Sequence, residues 1–565
     1  MTNYILIYLS ALFLLFSILG YGFLLSRFIG SSLINFNIGY QGLLGILLLT
    51  TVSYFTIFFV KHGYIHNLII HFIGIISFIF YTKKNNFLKQ FIKILFIFTI
   101  LFIALLIIRN HDDFNYYHLT YSLGLTENKI FFGLGQFQHG YKHHSSIFFF
   151  NSIIFLPFIK YYLFHSLGWF TLVFVNYIIL DVLIFNGKKI LNFEYYFYLL
   201  IILFINVKFS RIGGYGTDLS AQIILLTIFP LIYSTLQFTF KNPSFKSNFL
   251  LIILLITYTI TLKSFFVLSF LLLTPFLFFY DYKKILILSI FNRAFIFSII
   301  TVIFLIAINF AYTGCAIYPI KETCLSADLS WALEKDHVQR MSDWYQQWSK
   351  AGAGINFRVQ DPEKYIQNFN WLSTWYERYF LYKFKEFIIG LGFLLILIFI
   401  LFRGPNSKKI DKRKEKTLLS LTLIVLILTF EWFYNHPALR YGGYHLFCIL
   451  IFIPISFYLS QKKIYFLDKK KTTYCLILIS IFILYYRNID RIIEEHQIVK
   501  DNNFPLFYVP IQTYKTVELN HNTKLYIPTD NKGCWVIKTP CVNTYDDILV
   551  KKKLGFTIFS KKKSN

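Results

Sequence analysis

The sequence predicts an all-α polytopic membrane protein, and three observations predict it. Hydrophobic residues fill 56% of the 565 positions and charged residues only 15%, and mean hydropathy is +0.56. A water-soluble globule does not reach that balance. Apolar runs of about 17 to 25 residues, each long enough to cross the hydrocarbon layer as a helix, recur along most of the chain. Basic residues gather in short clusters between those runs, so the formal charge of +27 points to membrane orientation and lipid headgroups as partners, not to nucleic acid.

Taken in order, the apolar runs predict crossings near 4–26, 39–60, 65–81 and 91–108. Further crossings are expected near 161–185, 192–207, 219–239, 249–262, 263–280, 294–311, 386–402, 417–434, 442–460 and 473–486, about fourteen in all. The first run has neither a basic leading region nor a small-residue cleavage site, so it reads as a retained helix. The basic stretches 82–90, 186–189, 281–284, 403–416 and 461–471 belong on the cytoplasmic side. They stay on one side only if 145–157 does not cross, and that short run, ended by Pro157, is expected to lie along the interface. The N-terminus, the loop 109–144, the segment 312–385 and the tail 487–565 then fall outside.

Cysteine usage agrees with this orientation. Cys315 with Cys324, and Cys534 with Cys541, form close pairs in outer segments, whereas Cys448 and Cys475 stand alone in apolar runs. Disulfides belong to oxidising compartments, and neither loop offers the further ligands a zinc site needs. The segment 312–385 carries Trp331, Trp344, Trp348, Trp371 and Trp375, which read as interfacial anchors with sugar stacking as the alternative, and "DWYQQWSK" reads as an amphipathic helix. Short β-type runs separated by turn residues make the tail a small α+β or β module. The organisation is therefore leading helices 1–90, a membrane core 91–311 with an outer loop 109–160, an outer segment 312–385, further helices 386–486 and the tail module 487–565.

Chemistry is expected first in "RNHDDFNYYHLTYSLGL" (109–125), because ionisable residues at a membrane boundary are costly and face a cavity, a partner or a reaction. Asp113, with Asp112 beside it, can act as a general base on a hydroxyl or hold a divalent cation such as Mg or Mn. Equally, it can cap the helix that follows. Asp218 follows a Gly-rich turn and carries the same two readings. Lys263 sits between two short spans, where an ammonium can hold a lipid phosphate or simply snorkel. Arg440, in an outer turn, can clamp phosphate with its forked guanidinium or anchor the turn. His139, His143 and His144 lie in a polar loop and read as solvated rather than as metal ligands.

The pattern Asp113, Tyr117, His118, Leu119 at the start of the first large outer loop, followed by a short helix, resembles the GT-C superfamily of integral membrane glycosyltransferases, in particular glycosyltransferase family 39. The similarity runs on through "RIGGYGTDLSAQ" (211–222), "TLKS" (261–264), "TGCAIYP" (313–319) and "HPALRYGGYH" (436–445). The tail "GCWVIKTPC" (533–541) resembles that of an uncharacterised bacterial multi-pass membrane family. The resemblance implies a GT-C-like core in the bacterial inner membrane, with its active site facing the periplasm. It also implies sugar transfer from a polyprenyl-phosphate-linked donor to a cell-envelope glycan, lipid or protein. Asp113, with Asp112 and Asp218, would be catalytic, and Tyr117, His118, Lys263 and Arg440 would bind substrate. A flippase or transporter is the alternative from another class, expected to carry mid-bilayer charges and paired broken helices. An O-antigen polymerase or ligase, expected to rely on Arg-rich outer loops, is the third reading.

Overall fold

A computed structural model describes residues 2–85, 88–106, 113–185, 191–212, 217–352, 359–405, 411–498, 512–529, 533–543, 545 and 547–562. Asp112, the Gly-rich turn 213–216, the basic stretch 186–189 and residues 406–410 of the basic stretch 403–416 lie outside the described residues. The chain is mainly helical, as the apolar runs require. Four helices lead: α1 (Thr2–Ile29), α2 (Ile38–Thr56), α3 (Tyr64–Asn85) and α4 (Leu88–Ile100). The outer loop contributes α5 (Leu119–Glu127) and α6 (Ser146–Ile153). The bundle continues through α7 (Ser166–Leu180), α8 (Phe193–Lys208), α9 (Leu219–Gln237), α10 (Pro243–Leu262), α11 (Thr274–Phe279), α12 (Tyr282–Ile290) and α13 (Arg293–Thr313). Outer helices α14 (Lys335–Lys350), α15 (Pro362–Ile366) and α16 (Leu372–Trp375) lead back to α17 (Lys385–Leu401), α18 (Lys412–Asn435), α19 (Gly443–Ser460) and α20 (Phe466–Ile498).

Among the described residues eleven helices are long and apolar enough to cross a membrane, each matching an expected crossing. The other three expected crossings are also helical. The stretch 264–279 is shorter, α8 has 16 residues and α20 is charged at both ends. Burial separates inner from outer helices: 83 to 94% of the apolar windows of α2, α7, α9 and α10 lie inside the protein, against 22 to 33% for α3, α4, α17 and α18. Helices apolar all round belong inside, and the outer ones offer Leu, Ile and Phe to lipid. Of the leading helices, α2 is therefore interior, packed on α7. It approaches α1 so closely that a Cβ on Gly45 would stand 1.9 Å from the Ile18 carbonyl oxygen, so only glycine fits.

Described basic residues at one end of the bundle bind the closing carbonyls of neighbouring helices. Arg413 donates to the carbonyls of Leu236 and Phe238, Lys469 to Leu401, and Arg293 to Phe28. The outer loop, the α14 segment and the tail gather at the opposite end. There the side chain of Gln136 donates to the Trp331 carbonyl, and Phe559 N–H to the Phe132 carbonyl.

One expectation changes. Within the stretch 145–157, every residue of α6 is buried, so this helix packs inside the protein and does not lay an apolar face on lipid. Its exit is fastened from α3, where Asn67 donates to the carbonyls of Ser152 and Phe155 at 2.8 Å each and so satisfies backbone acceptors that water cannot reach. The tail is β structure, as its short β-type runs predict, in two antiparallel hairpins, β1 (Tyr514–Leu519) with β2 (Thr523–Pro528), and β3 (Ile548–Lys553) with β4 (Phe556–Lys561). Two-stranded pieces of this size have no core of their own, and β4 finds one by packing Phe556 and Phe559 against Phe131, Phe132 and Phe137 of the outer loop.

Candidate functional site

Residues far apart in the chain meet at the outer end of the bundle. Asp113 opens a wide helical turn, Phe114–His118, that runs into α5. It has helical backbone angles (φ −74°, ψ −12°) and makes no side-chain cap hydrogen bond, so the capping reading is not what its carboxylate does. The same correction holds for Asp218. It stands at the start of α9 without capping it, and its carboxylate turns to two cations, with Oδ2 3.4 Å from Arg440 Nε and Oδ1 3.8 Å from Lys263 Nζ. Thr217 Oγ1 donates to Oδ1 at 3.3 Å and accepts from Lys263 Nζ at 3.5 Å.

Each cation arrives on a chain break between helices. Lys263 is the extended residue between α10 and the following turn, so its ammonium points into the site instead of snorkelling. Arg440 lies in the tight turn Leu439–Tyr441. Gln222 of α9 donates to the Arg440 carbonyl at 2.8 Å, Trp432 to that of Ala438 at 3.1 Å, and Trp375 to that of Pro437 at 2.6 Å. A turn whose carbonyls are bound on three sides holds its guanidinium where the fold puts it. The guanidinium carbon lies 5.5 Å from the ring centre of Trp348 and 5.3 Å from that of Tyr441.

Asp113 belongs to the same electrostatic cluster, within reach of Arg440, Tyr441, Tyr117 and His139. Burial works against the Arg440 charge, but Tyr441, Asp218 and Asp113 hold it firmly protonated. Burial, with Asp218 and Asp113, pushes the Tyr441 hydroxyl up to about 12 against the pull of Arg440. Tyr117 faces this cluster, whereas His118 packs against the rings of Tyr117 and Phe148 and has His143 as an electrostatic neighbour.

The histidines read as solvated are not. His139 and His143 are half-buried, with their Nε2 atoms 3.1 Å apart, and His139 Nδ1 is 3.1 Å from the Tyr345 hydroxyl. Burial first, then Lys142, pushes His139 down to about 4, and burial with His139 lowers His143 further. Both imidazoles are therefore neutral at pH 7. Among the described residues no group of three or more His, Cys, Asp and Glu side chains could hold a metal ion.

The tryptophans also depart from the anchor reading. Trp344 stands edge-on to His139 at 5.4 Å and Trp348 lies 5.8 Å from Tyr441, so α14 walls the site with aromatic rings. Trp371 and Trp375 are buried, and Lys350 sits over the Trp371 ring. Tyr441, Tyr345 and Thr217 are site residues that sequence reasoning did not single out, although each lies next to a charged or Trp position that it did weigh, and Trp348 was read there as an anchor and not as part of a site.

Both cysteine pairs stand at disulfide distance, Cys315 with Cys324 and Cys534 with Cys541, while Cys448 and Cys475 are free thiols. The second pair closes a loop directly behind Asp113. The Asn115 carbonyl accepts from the N–H groups of Cys534 at 3.0 Å and Trp535 at 3.3 Å, and Trp535 packs edge-on to Phe114. Gly533 (φ +90°) lets the loop approach, since a Cβ there would lie 2.8 Å from the Asn115 oxygen.

Fold and site define a membrane-embedded helical protein with an acid-and-cation cluster at one end of its helices. Residues 4–448 match the family described as "Domain of unknown function (DUF8201)", and the chain belongs to that family. No curated protein and no solved structure matches it.

Proposed function

We propose that this protein is an inverting GT-C-type glycosyltransferase of the bacterial inner membrane. It would move a sugar from a polyprenyl-phosphate-linked donor to a cell-envelope glycan, lipid or protein on the periplasmic face. The observation that carries the reading is the meeting of Asp113, Asp218, Lys263 and Arg440 at one end of the bundle. Two cations held over a buried carboxylate suit a leaving phosphate, and a second carboxylate within reach suits a base. In the step, the acceptor oxygen forms a bond to the anomeric carbon as the bond from that carbon to the phosphate oxygen breaks. The phosphate leaves with the electron pair, beside Arg440 and Lys263, and the acceptor proton passes to Asp113.

Asp218, 2% exposed and bound to both cations, serves in this reading to position them rather than to take the proton. Counting α8, 264–279 and α20 as crossings gives fourteen, with both chain ends on the site's face. A transporter would want its charges at mid-bilayer, whereas these stand at helix ends. The test is binding of a polyprenyl phosphate analogue to the protein in nanodiscs. Arg440→Ala and Lys263→Ala should each weaken it by about tenfold or more, the scale of one charge-assisted contact. Unchanged affinity in both variants would remove the phosphate role.

A further inference from the structure

Beside the proposed site stands a second group of cations, and among the described residues none of them is ion-paired with a carboxylate. Lys142 ends the tight turn His139–Lys142 and is 7% exposed, so its ammonium is withdrawn from water. Its hydrogen-bond partner is His337 Nε2 on α14. Lys561, on β4, is within electrostatic reach of both Lys142 and His337, and Arg340, one turn along α14, within reach of His337. Asp336 and Asp343 ride on the same helix, yet among the described residues no ion pair joins either of them to these cations.

This arrangement is costly as it stands. A lysine has a long stem that lets its charge reach water, and burying the charge beside a second cation without a counter-ion opposes folding. Burial, with Lys561, pushes Lys142 down to about 8. Burial, with Lys142, Arg340 and Lys561, pushes His337 down to about 4. The imidazole is therefore neutral and accepts a hydrogen bond from the Lys142 ammonium, so among the described residues the positive charge has no counter-ion. Three segments that meet only in the folded protein, the outer loop, α14 and the tail hairpin, each supply a member.

We propose that Lys142, His337, Arg340 and Lys561 form an anion-binding site for a phosphate or carboxylate group. The cations supply charge-assisted hydrogen bonds, and Arg340 and Lys561, both exposed, leave the site open from outside. Lys142 lies within electrostatic reach of His139, which is itself within reach of Asp113 and Lys263. A ligand held here thus lies alongside the proposed transfer centre. On the glycosyltransferase reading, on which this last step alone rests, the bound group is an acidic substituent of the acceptor. The acceptor class is then a phosphorylated or carboxylated glycan or lipid.

The test is an acetylation footprint on the full-length protein in zwitterionic nanodiscs, with inorganic diphosphate as the probe. Diphosphate should slow acetylation of Lys561 by about fivefold or more, as a direct ammonium–phosphate contact would, while the exposed Lys524 and Lys538 serve as controls. Lys142→Gln should abolish the protection and Lys142→Arg keep it. Arg340→Gln, a surface change that does not threaten folding, should raise the half-protecting concentration by about tenfold. Arg440→Ala should leave the protection intact, which separates this site from the proposed donor site whether or not the protein transfers sugar. Protection in anionic nanodiscs without diphosphate identifies the ligand as a lipid headgroup, and protection by soluble anion alone identifies a glycan or free phosphate; both support the site. No slowing at Lys561, equal slowing at Lys524 and Lys538, or full protection in Lys142→Gln overturns it.

Discussion

Replacing Arg440 by Gln should destabilise the protein by an amount that depends on Asp218. The carboxylate of Asp218 is 3% exposed and has its two cations at 3.4 Å and 3.8 Å. Without Arg440 its described partners are Lys263, near the outer limit of an ion pair, and the Thr217 hydroxyl. Removing one partner of a fully buried pair costs about 3–5 kcal/mol. Because the Arg440 side chain is 34% exposed, solvent screening reduces that to about 1–3 kcal/mol. Loss of the contacts with Trp348 and Tyr441 adds about 0.5–1 kcal/mol that does not involve Asp218. In the double variant Arg440→Gln, Asp218→Asn no buried charge is stranded, so its cost should fall short of the sum of the two single costs by about 1 kcal/mol or more. The assay is denaturant unfolding of parent, both single variants and the double variant in one mixed micelle. Strictly additive costs, or an Arg440→Gln protein as stable as the parent, would show that the ion cluster is not coupled as described.

Three other outcomes are expected. Gly533→Ala should push the tail loop off Asn115, because its Cβ would stand 2.8 Å from that carbonyl oxygen at a φ of +90°; hydrogen exchange at the Cys534 and Trp535 amides should quicken by about tenfold, the scale of a 1–2 kcal/mol strain, and unchanged exchange would contradict the contact. Acid should weaken the fold through His139, His337 and His436, each pushed from 6.5 down to about 4 mainly by burial. The unfolded chain takes up these protons near 6.5 and the folded chain only near 4, so stability is lost as pH falls through that window, and an unfolding midpoint that stays level from pH 7 to pH 5 would oppose it. Thiol labelling without reductant should modify Cys475, which is exposed, and leave Cys315, Cys324, Cys534 and Cys541 untouched; labelling at any of those four would break the pairing.

What could be read from the sequence follows from what each signal depends on. Long apolar runs mark helices wherever they pack, so every expected crossing is helical. Asp218, Lys263 and Arg440 stood out because a charge at the edge of an apolar run needs a reason. That they meet could not be read, because it depends on how α9, α10 and the turn before α19 are packed together. "SIFFFNSI" is apolar on nearly all sides, and that pattern marks a buried helix; its shortness and Pro157 outweighed the signal. His139 and His143 sit among polar neighbours in sequence, yet Tyr345 and Trp344 of a segment about 200 residues later cover them. The same remoteness hid Lys142 and the part Trp348 plays at the site, since their partners lie on other elements.

Asp113→Asn tests the central claim most directly. The side chain keeps its size, and no cap hydrogen bond is lost because Asp113 makes none, so the variant should accumulate in the membrane like the parent. An amide cannot take the acceptor proton, and loss of a general base lowers the rate by about a hundredfold or more. The measurement is the profile of lipid-linked sugars and their envelope products in a deletion strain carrying either the parent or Asp113→Asn. We predict that the parent restores the missing product, whereas Asp113→Asn, at equal abundance, leaves the lipid-linked donor accumulated. Full restoration by Asp113→Asn would contradict the assignment of the base, and a deletion strain with unaltered lipid-linked sugars would contradict the proposed function itself.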